Sequence, residues 1–259
     1  MPRIEGRTRG DSVEVDERTR TQLADAFEAF CPSREQILMP AGYRDSALAL
    51  VDAVFSMQAR YEGARRVVAN YAAWAGLQDT PGLPSDIAVA DQHSVVDLHD
   101  GLICMPPEDL ADRVFNNRTR SARAGPLKAE LVVEAARSLI EAEVRSRGDI
   151  TRWPTEPGYA EQKKAWTGIH GLGPVTFEYF RMLCGAESSK PDIMVVGWLE
   201  ETLGDRPDTA QALEFVAALA DELSARWDTT TSQRGVDHTI WRYHSGRGLD
   251  PDAPLGSNA

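Results

Sequence analysis

Apolar side chains recur every three or four residues along most of this 259-residue chain, and no segment shows the two-residue alternation of a half-buried strand. That spacing is typical of helices that turn one face toward a core. The clearest runs are Leu213, Val216, Ala220, Leu223, Trp227 and Leu48, Val51, Phe55, Gln58. The sequence therefore predicts an all-α protein of about ten helices. The run from Leu48 predicts a single helix that extends to about Trp74.

Composition narrows the class of protein further. Hydrophobic residues make up 42% and charged residues 26% of the chain, as in ordinary globular proteins. There is no apolar run long enough to cross a bilayer, so we expect a cytoplasmic protein that makes no membrane contact. Cys31, Cys104 and Cys184 are far apart and the five histidines are scattered. Neither pattern suits a disulfide framework, a zinc site or an iron–sulfur cluster, and we expect no such cofactor.

The formal net charge of −12 counts against a protein that coats DNA non-specifically, because phosphate contacts usually come from Lys and Arg. The cations are nevertheless concentrated in one stretch. Arg113, Arg118, Arg120, Arg123 and Lys128 follow one another with no acidic residue between them. The stretch predicts either a local basic surface on an acidic body or a solvated arginine-rich loop.

A glycine–proline break separates two helical segments at Gly171-Leu172-Gly173-Pro174. Glycine allows positive φ and leaves room for a phosphate near the backbone, and proline suits the first turn of a helix. The unpaired amides at that helix start can bind a phosphate without a basic side chain. We therefore expect the amides of Gly171, Gly173 and Val175 to form an anion site, although a plain turn is the alternative interpretation.

Three motifs together resemble the helix-hairpin-helix (HhH-GPD) superfamily of base-excision DNA glycosylases, and endonuclease III in particular. The hairpin is Ile169-His170-Gly171-Leu172-Gly173, followed by a helix and then by Lys190-Pro191-Asp192. Upstream, an apolar run ends in Ser56-Met57-Gln58, and Lys128-Ala129-Glu130 follows the basic loop. The resemblance covers Tyr43 to Gly204.

The resemblance implies a two-lobed helical fold with a cleft between the lobes. Residues 19–45 and 186–245 would form one lobe and residues 46–185 the other, with the helix-hairpin-helix motif at 166–184. Residues 1–18 and 246–259 are expected to be disordered.

The resemblance also implies functional roles. Asp192 would be the catalytic carboxylate of a DNA N-glycosylase, and the protein would act on double-stranded DNA as a nucleoid-associated monomer. Backbone carbonyls of Ile169 and Gly171 would hold Na⁺ or K⁺. The implied DNA contacts are Gln58, Asn116, Asn117, Arg118, Arg120, Arg123, Lys128, His170, Gly171, Leu172, Gly173, Val175 and Thr176.

The chain departs from the superfamily at the position of its nucleophilic lysine, which is Val175 here. Valine cannot form a Schiff base, so the sequence predicts a monofunctional glycosylase in which Asp192 acts with water.

Several other interpretations stay open at this point. Asp192 alone could be an ordinary helix N-cap, and Gln58 a hydrogen-bonded core residue. A non-catalytic protein of the same fold could recognise damaged or phage DNA. A helical interaction module that uses its acidic surface is a third alternative.

Overall fold

The computed structural model describes residues 15–59, 61–77 and 91–249. Within these ranges the chain forms eleven α-helices and no strand, which confirms the all-α prediction. None of the helices in the described ranges is long and apolar enough to cross a bilayer. The disorder predicted for residues 1–14 and 250–259 lies outside the described residues.

The chain contacts divide the protein into two compact units. The central unit is Met39–Lys190, and the terminal unit combines the segment up to Leu38 with the segment from Pro191 onward. The sequence prediction placed these boundaries after residues 45 and 185.

The terminal unit contains α1 (Glu17–Glu28), α9 (Ile193–Leu203), α10 (Thr209–Arg226) and α11 (Gln233–His244). Its core includes Phe27 of α1 and Trp198 of α9, whose rings meet edge to face at 6.5 Å. Buried aliphatic side chains of α9, α10 and α11 complete this core.

Two described segments of the terminal unit, residues 15–18 and 246–249, lie where the sequence predicted disorder. Asp16 caps α1 by accepting a hydrogen bond from the Thr19 amide at 2.7 Å. After α11, the Arg242 side chain donates to the Gly248 carbonyl at 3.0 Å. Residues 15–18 and 246–249, for which the sequence predicted disorder, thus carry a capping and a side-chain hydrogen bond.

The central unit contains α2 (Ser46–Phe55), α3 (Tyr61–Trp74), α4 (Val95–Leu102), α5 (Pro107–Asp109), α6 (Lys128–Glu141), α7 (Tyr159–Thr167) and α8 (Pro174–Leu183). Helix α5 continues as a π-helical turn over Leu110–Val114. All ten residues of α2 are buried, and α3, α4, α6 and α8 pack around it. Helix α2 is thus the centre of this core.

The single helix predicted to run from Leu48 to Trp74 is wrong, because the chain breaks between α2 and α3. Helix α2 ends at Phe55, and Gln58 adopts φ = +50°, a left-handed conformation that ends helical geometry. Gln58 is exposed at this turn, so it is not the core residue that its spacing allowed.

A buried ion pair anchors α8 within the central unit. The guanidinium of Arg181 contacts the carboxylate of Glu178, and both side chains are almost completely buried. Glu178 also accepts hydrogen bonds from the Tyr159 hydroxyl at 2.5 Å and the Ser188 hydroxyl at 2.7 Å. Arg181 donates to the Thr151 carbonyl at 3.1 Å. The pair therefore links α7, α8 and the segments on either side of them.

We predict that Glu178→Ala lowers the free energy of unfolding by about 3–5 kcal/mol, because it leaves the Arg181 charge buried without its carboxylate. Urea denaturation measures this change. The exposed pair of Arg137 and Glu141 provides the control, and Glu141→Ala should cost less than about 1 kcal/mol. Equal costs for the two variants would contradict the prediction.

Candidate nucleic-acid interface

Two buried apolar side chains anchor the hairpin between α7 and α8 to the core. Ile169 and Leu172 are buried, and the Leu172 amide donates to the Ile169 carbonyl at 3.0 Å. Gly171 stands between them with φ = +103° and is exposed, as is His170. The buried pair therefore turns the backbone of His170 and Gly171 toward solvent, while Leu172 contributes anchoring rather than an accessible surface.

The hydroxyl of Thr176 fixes the geometry of this hairpin. It accepts hydrogen bonds from the Gly173 amide at 3.2 Å and from the Trp166 indole at 2.9 Å, and it donates to the Gly173 carbonyl at 2.8 Å. Two expectations change as a result. The Gly173 amide already donates to the Thr176 hydroxyl, so it is not free to bind an anion. The Thr176 side chain stabilises the hairpin and is not the DNA contact that the sequence predicted.

Other amides of the hairpin remain available for a ligand. In the described part of the chain, the amides of Gly171, Val175 and Thr176 donate to no acceptor. The last two lie in the first turn of α8, where amides have no helical partner and the helix dipole is positive. An anion at this end of the helix would be bound by backbone groups alone.

The basic loop, residues 116–127, packs directly against the hairpin. The Ser121 side chain is buried next to Gly171, and a Cβ atom at Gly171 would lie 2.8 Å from the Ser121 hydroxyl oxygen and 3.0 Å from its Cβ. Such a close approach requires glycine at position 171. The hairpin and the basic loop are therefore in direct contact.

The arginines of the basic loop differ in how they are held. Arg118 makes a two-point ion pair with Asp112, and Arg120 donates to the Gly125 carbonyl at 2.8 Å. Arg123 is exposed and makes no ion pair with any residue in the described ranges. Arg123 is thus the loop cation whose charge is least compensated.

Two asparagines shape the start of the basic loop. Asn116 is exposed and adopts φ = +47°, a conformation that asparagine tolerates better than most residues. The side-chain oxygen of Asn117 accepts hydrogen bonds from the Thr119 amide at 2.8 Å and hydroxyl at 2.6 Å. The loop is therefore a defined turn rather than an open segment.

A cavity of about 580 Å³ lies between the Gln58 turn and the basic loop. Its wall carries most of the polar residues that the sequence predicted to contact DNA. The lining residues are Phe55, Gln58, Ala59, Gly63, Asn117, Arg118, Thr119, Arg120, Ala122, Arg123 and Lys128. The structure therefore brings together segments that are separated by almost 60 positions in the chain.

Lys128 differs from the expected DNA contact. Its side chain is buried, and its ammonium donates to the carbonyls of Phe55, at 3.2 Å, and Met57. Burial lowers the pKa of this amine. The lysine satisfies carbonyls at the end of α2 and so supports the turn that presents Gln58. The sequence shows only that Lys128 lies near the start of a helix, and it does not show that the side chain reaches the carbonyls of Phe55 and Met57.

The sequence interpretation missed a buried polar cluster around Asp52, which is the one charged residue of α2. Its carboxylate accepts hydrogen bonds from the hydroxyls of Tyr43 at 2.7 Å and Tyr179 at 3.5 Å. Arg65 donates to Tyr43 at 2.7 Å, and the Lys190 ammonium lies 3.6 Å from the centre of the Tyr179 ring. Burial raises the pKa of Asp52, while the bond from Tyr43 and the charge of Lys190 oppose that shift. The one sequence feature that could have indicated this cluster is a single acidic residue, Asp52, within an otherwise apolar helix.

Asp192 belongs to the terminal unit, where it is the N-cap of α9. Its Oδ1 accepts hydrogen bonds from the amides of Met194 at 2.9 Å and Val195 at 3.3 Å. The side chain is half-buried, and Oδ2 has no partner in the described ranges. Asp192 therefore caps the helix with one oxygen and keeps the other available.

Residues that could hold a metal ion are not grouped in the described ranges. No three His, Cys, Asp or Glu side chains converge there. Cys31 and Cys184 are buried and Cys104 is exposed, and all three are free thiols. Of the two carbonyls proposed for a monovalent cation, that of Ile169 already accepts the Leu172 amide.

Comparison with known proteins gives a family. A family model described as "Domain of unknown function (DUF8548)" matches residues 21–245, which span both units. The chain belongs to the DUF8548 family. No curated protein and no solved structure matches the chain.

We predict that Gly171→Ala lowers the free energy of unfolding by about 1–3 kcal/mol, because the new methyl group meets Ser121 and φ is positive. Gly173→Ala is the matched control, since its backbone is extended and a Cβ there would meet no atom within 4 Å. It should change stability by less than about 1 kcal/mol. Thermal denaturation of both variants checks the difference, and equal stabilities would contradict the packing described.

Proposed function

We propose that this protein binds double-stranded DNA through the central unit and excises a modified base with Asp192, as a monomeric, monofunctional DNA N-glycosylase with a two-lobed HhH-GPD fold. One observation carries the proposal. The hairpin, the basic loop and the Gln58 turn, each predicted to contact DNA, lie together on a single surface of the central unit. We call it the hairpin–loop surface.

The charges of the hairpin–loop surface support phosphate binding despite the acidic composition of the whole chain. Arg118, Arg120 and Arg123 line the cavity, Arg118 paired with Asp112 and Arg123 the least compensated, and the free amides of the hairpin add donors that carry no formal charge. Phosphate contacts from such groups position a duplex without reading its sequence. A local surface of this kind is compatible with a net charge of −12.

The backbone of this surface supports base extrusion. Gln58 and Asn116 are exposed and both have positive φ, a conformation that asparagine tolerates and that costs Gln58 free energy which the surrounding structure must offset. Strained, exposed positions of this kind cluster at functional sites. We infer that these side chains fill the space left in the base stack when a nucleotide rotates out of the duplex.

The chemistry assigned to Asp192 is hydrolysis of the C1′–N bond. As that bond breaks, its electron pair leaves with the base and positive charge develops on the sugar. A carboxylate stabilises that charge and accepts a proton from the attacking water, whose oxygen bonds to C1′. The proton finally passes to the departing base. The products are the free base and an abasic deoxyribose, and Val175 offers no amine for an imine intermediate.

A second candidate is a DNA-recognition protein that binds in the same way and cleaves nothing. It is favoured by the capping hydrogen bonds of Asp192, which alone would explain an acid at this position. The free Oδ2 atom of Asp192 favours the glycosylase.

Asp192→Asn is the variant that separates the two candidates, because asparagine retains the cap and removes the charge. We expect wild-type protein to release a base from at least one member of a panel of duplexes that each contain one modified base. Asp192→Asn should slow that release at least about 100-fold, with DNA affinity unchanged. Mass spectrometry of the free base and alkaline cleavage of the abasic product provide the two readouts.

Asp208→Asn is the matched control, since Asp208 caps α10 through two amides in the same manner. It should retain full activity. Full activity of Asp192→Asn would refute the catalytic assignment. Binding of the duplexes without release of any base would favour the recognition protein.

A further inference from the structure

A second concave surface lies on the central unit, between residues 103–110 and α6. It encloses about 440 Å³, and five of its eight lining residues are apolar. Ile103 is 47% exposed there, which is high for a large aliphatic side chain, and Met105, Leu110 and Val133 lie beside it. Grooves of this form commonly receive the apolar face of a helix from another protein.

The groove is bordered by acids without cationic partners. Glu130 and Glu134 are one turn apart on α6, where like charges repel, and neither makes an ion pair with any residue in the described ranges. Arg137, the one cation of the groove, contacts Glu141 at 2.6 Å instead. A cationic ligand would relieve this repulsion.

We propose that this groove is a docking site for a basic amphipathic helix of a partner protein. Leucine-type side chains of that helix would cover Ile103 and Val133, and its lysines or arginines would pair with Glu130 and Glu134. DNA does not fit, because the same acids repel phosphate. A second copy of the chain in the same groove would place acidic borders against each other.

This surface is separate from the residues assigned to DNA, since the two cavities share no lining residue. The proposal therefore goes beyond base excision and does not depend on it. Loss of DNA binding and loss of peptide binding should be separable by substitution.

The test is fluorescence anisotropy of the full chain with a labelled synthetic peptide of about 18 residues, in which leucines form one helical stripe and lysines fill the other positions. Two comparison peptides are used. One has the same composition with the leucines dispersed, and the other has glutamates in place of the lysines. We expect saturable binding of the first peptide alone, with a dissociation constant on the order of 10 µM.

Glu134→Lys should weaken this binding about tenfold, and Ile103→Ser should weaken it to a similar extent. Glu161→Lys provides the matched control, because it makes the same charge change at an exposed position on α7. Arg123→Ala should leave peptide affinity unchanged. Circular dichroism verifies that each variant is folded.

Three results would overturn the proposal. The first is equal binding of the striped and dispersed peptides, which would indicate non-specific attraction. The second is unchanged affinity in both Glu134→Lys and Ile103→Ser. The third is a concentration-dependent dimer of the chain, detected by sedimentation and abolished by Ile103→Ser, which would assign the groove to a second copy.

Discussion

The ammonium of Lys128 is the interaction on which the arrangement of the central unit depends. It lies where the basic loop enters α6, and it donates to carbonyls at the end of α2. This one side chain therefore fixes the place where the central core helix stops and the exposed Gln58 turn begins. Without it, the buried Phe55 carbonyl would lose its donor, at a cost of about 1–3 kcal/mol, and the half-buried Met57 carbonyl would lose its donor as well.

A second contact, between Gly171 and Ser121, also holds the central unit together. It is steric rather than electrostatic. It places the hairpin against the basic loop. Lys128 and Gly171 thus connect three segments that are distant in the chain. Lys128 acts through hydrogen bonds of its buried ammonium and Gly171 through close packing, so the surface they create is tied to the folded core rather than being a set of independent loops.

The hairpin–loop surface and the groove beside α6, both on the central unit, differ in the sign of their charge. The hairpin–loop surface combines arginines with backbone amides that are free within the described ranges, whereas the groove beside α6 is bordered by glutamates that make no ion pair with any described residue. A protein with a net charge of −12 can therefore present one surface suited to phosphates and another suited to cations. The net charge is a sum over the whole chain, so it does not show that the basic and acidic side chains lie on different surfaces.

The sequence predicted the helical class and most helices, because periodicity and glycine–proline breaks are local signals. The family resemblance also assigned DNA contacts to the segments of the hairpin–loop surface, and that assignment stays a prediction. The sequence prediction failed at the break after Phe55, since the apolar spacing continues through Gln58 and the determining contact comes from Lys128, 73 positions after Phe55. The Asp52 cluster was missed for the same reason, because Tyr179 and Lys190 reach it from distant segments.

The central claim, that the hairpin–loop surface binds DNA phosphates, is tested most directly by the salt dependence of duplex affinity for wild type and Arg123→Ala. We predict a linear fall of log K with log salt concentration, and a slope reduced by about 1 in Arg123→Ala. Arg206→Ala, which removes an ion-paired arginine of the terminal unit, should keep the wild-type slope. Affinity that does not depend on salt, or the same slope in wild type and Arg123→Ala, would contradict the claim.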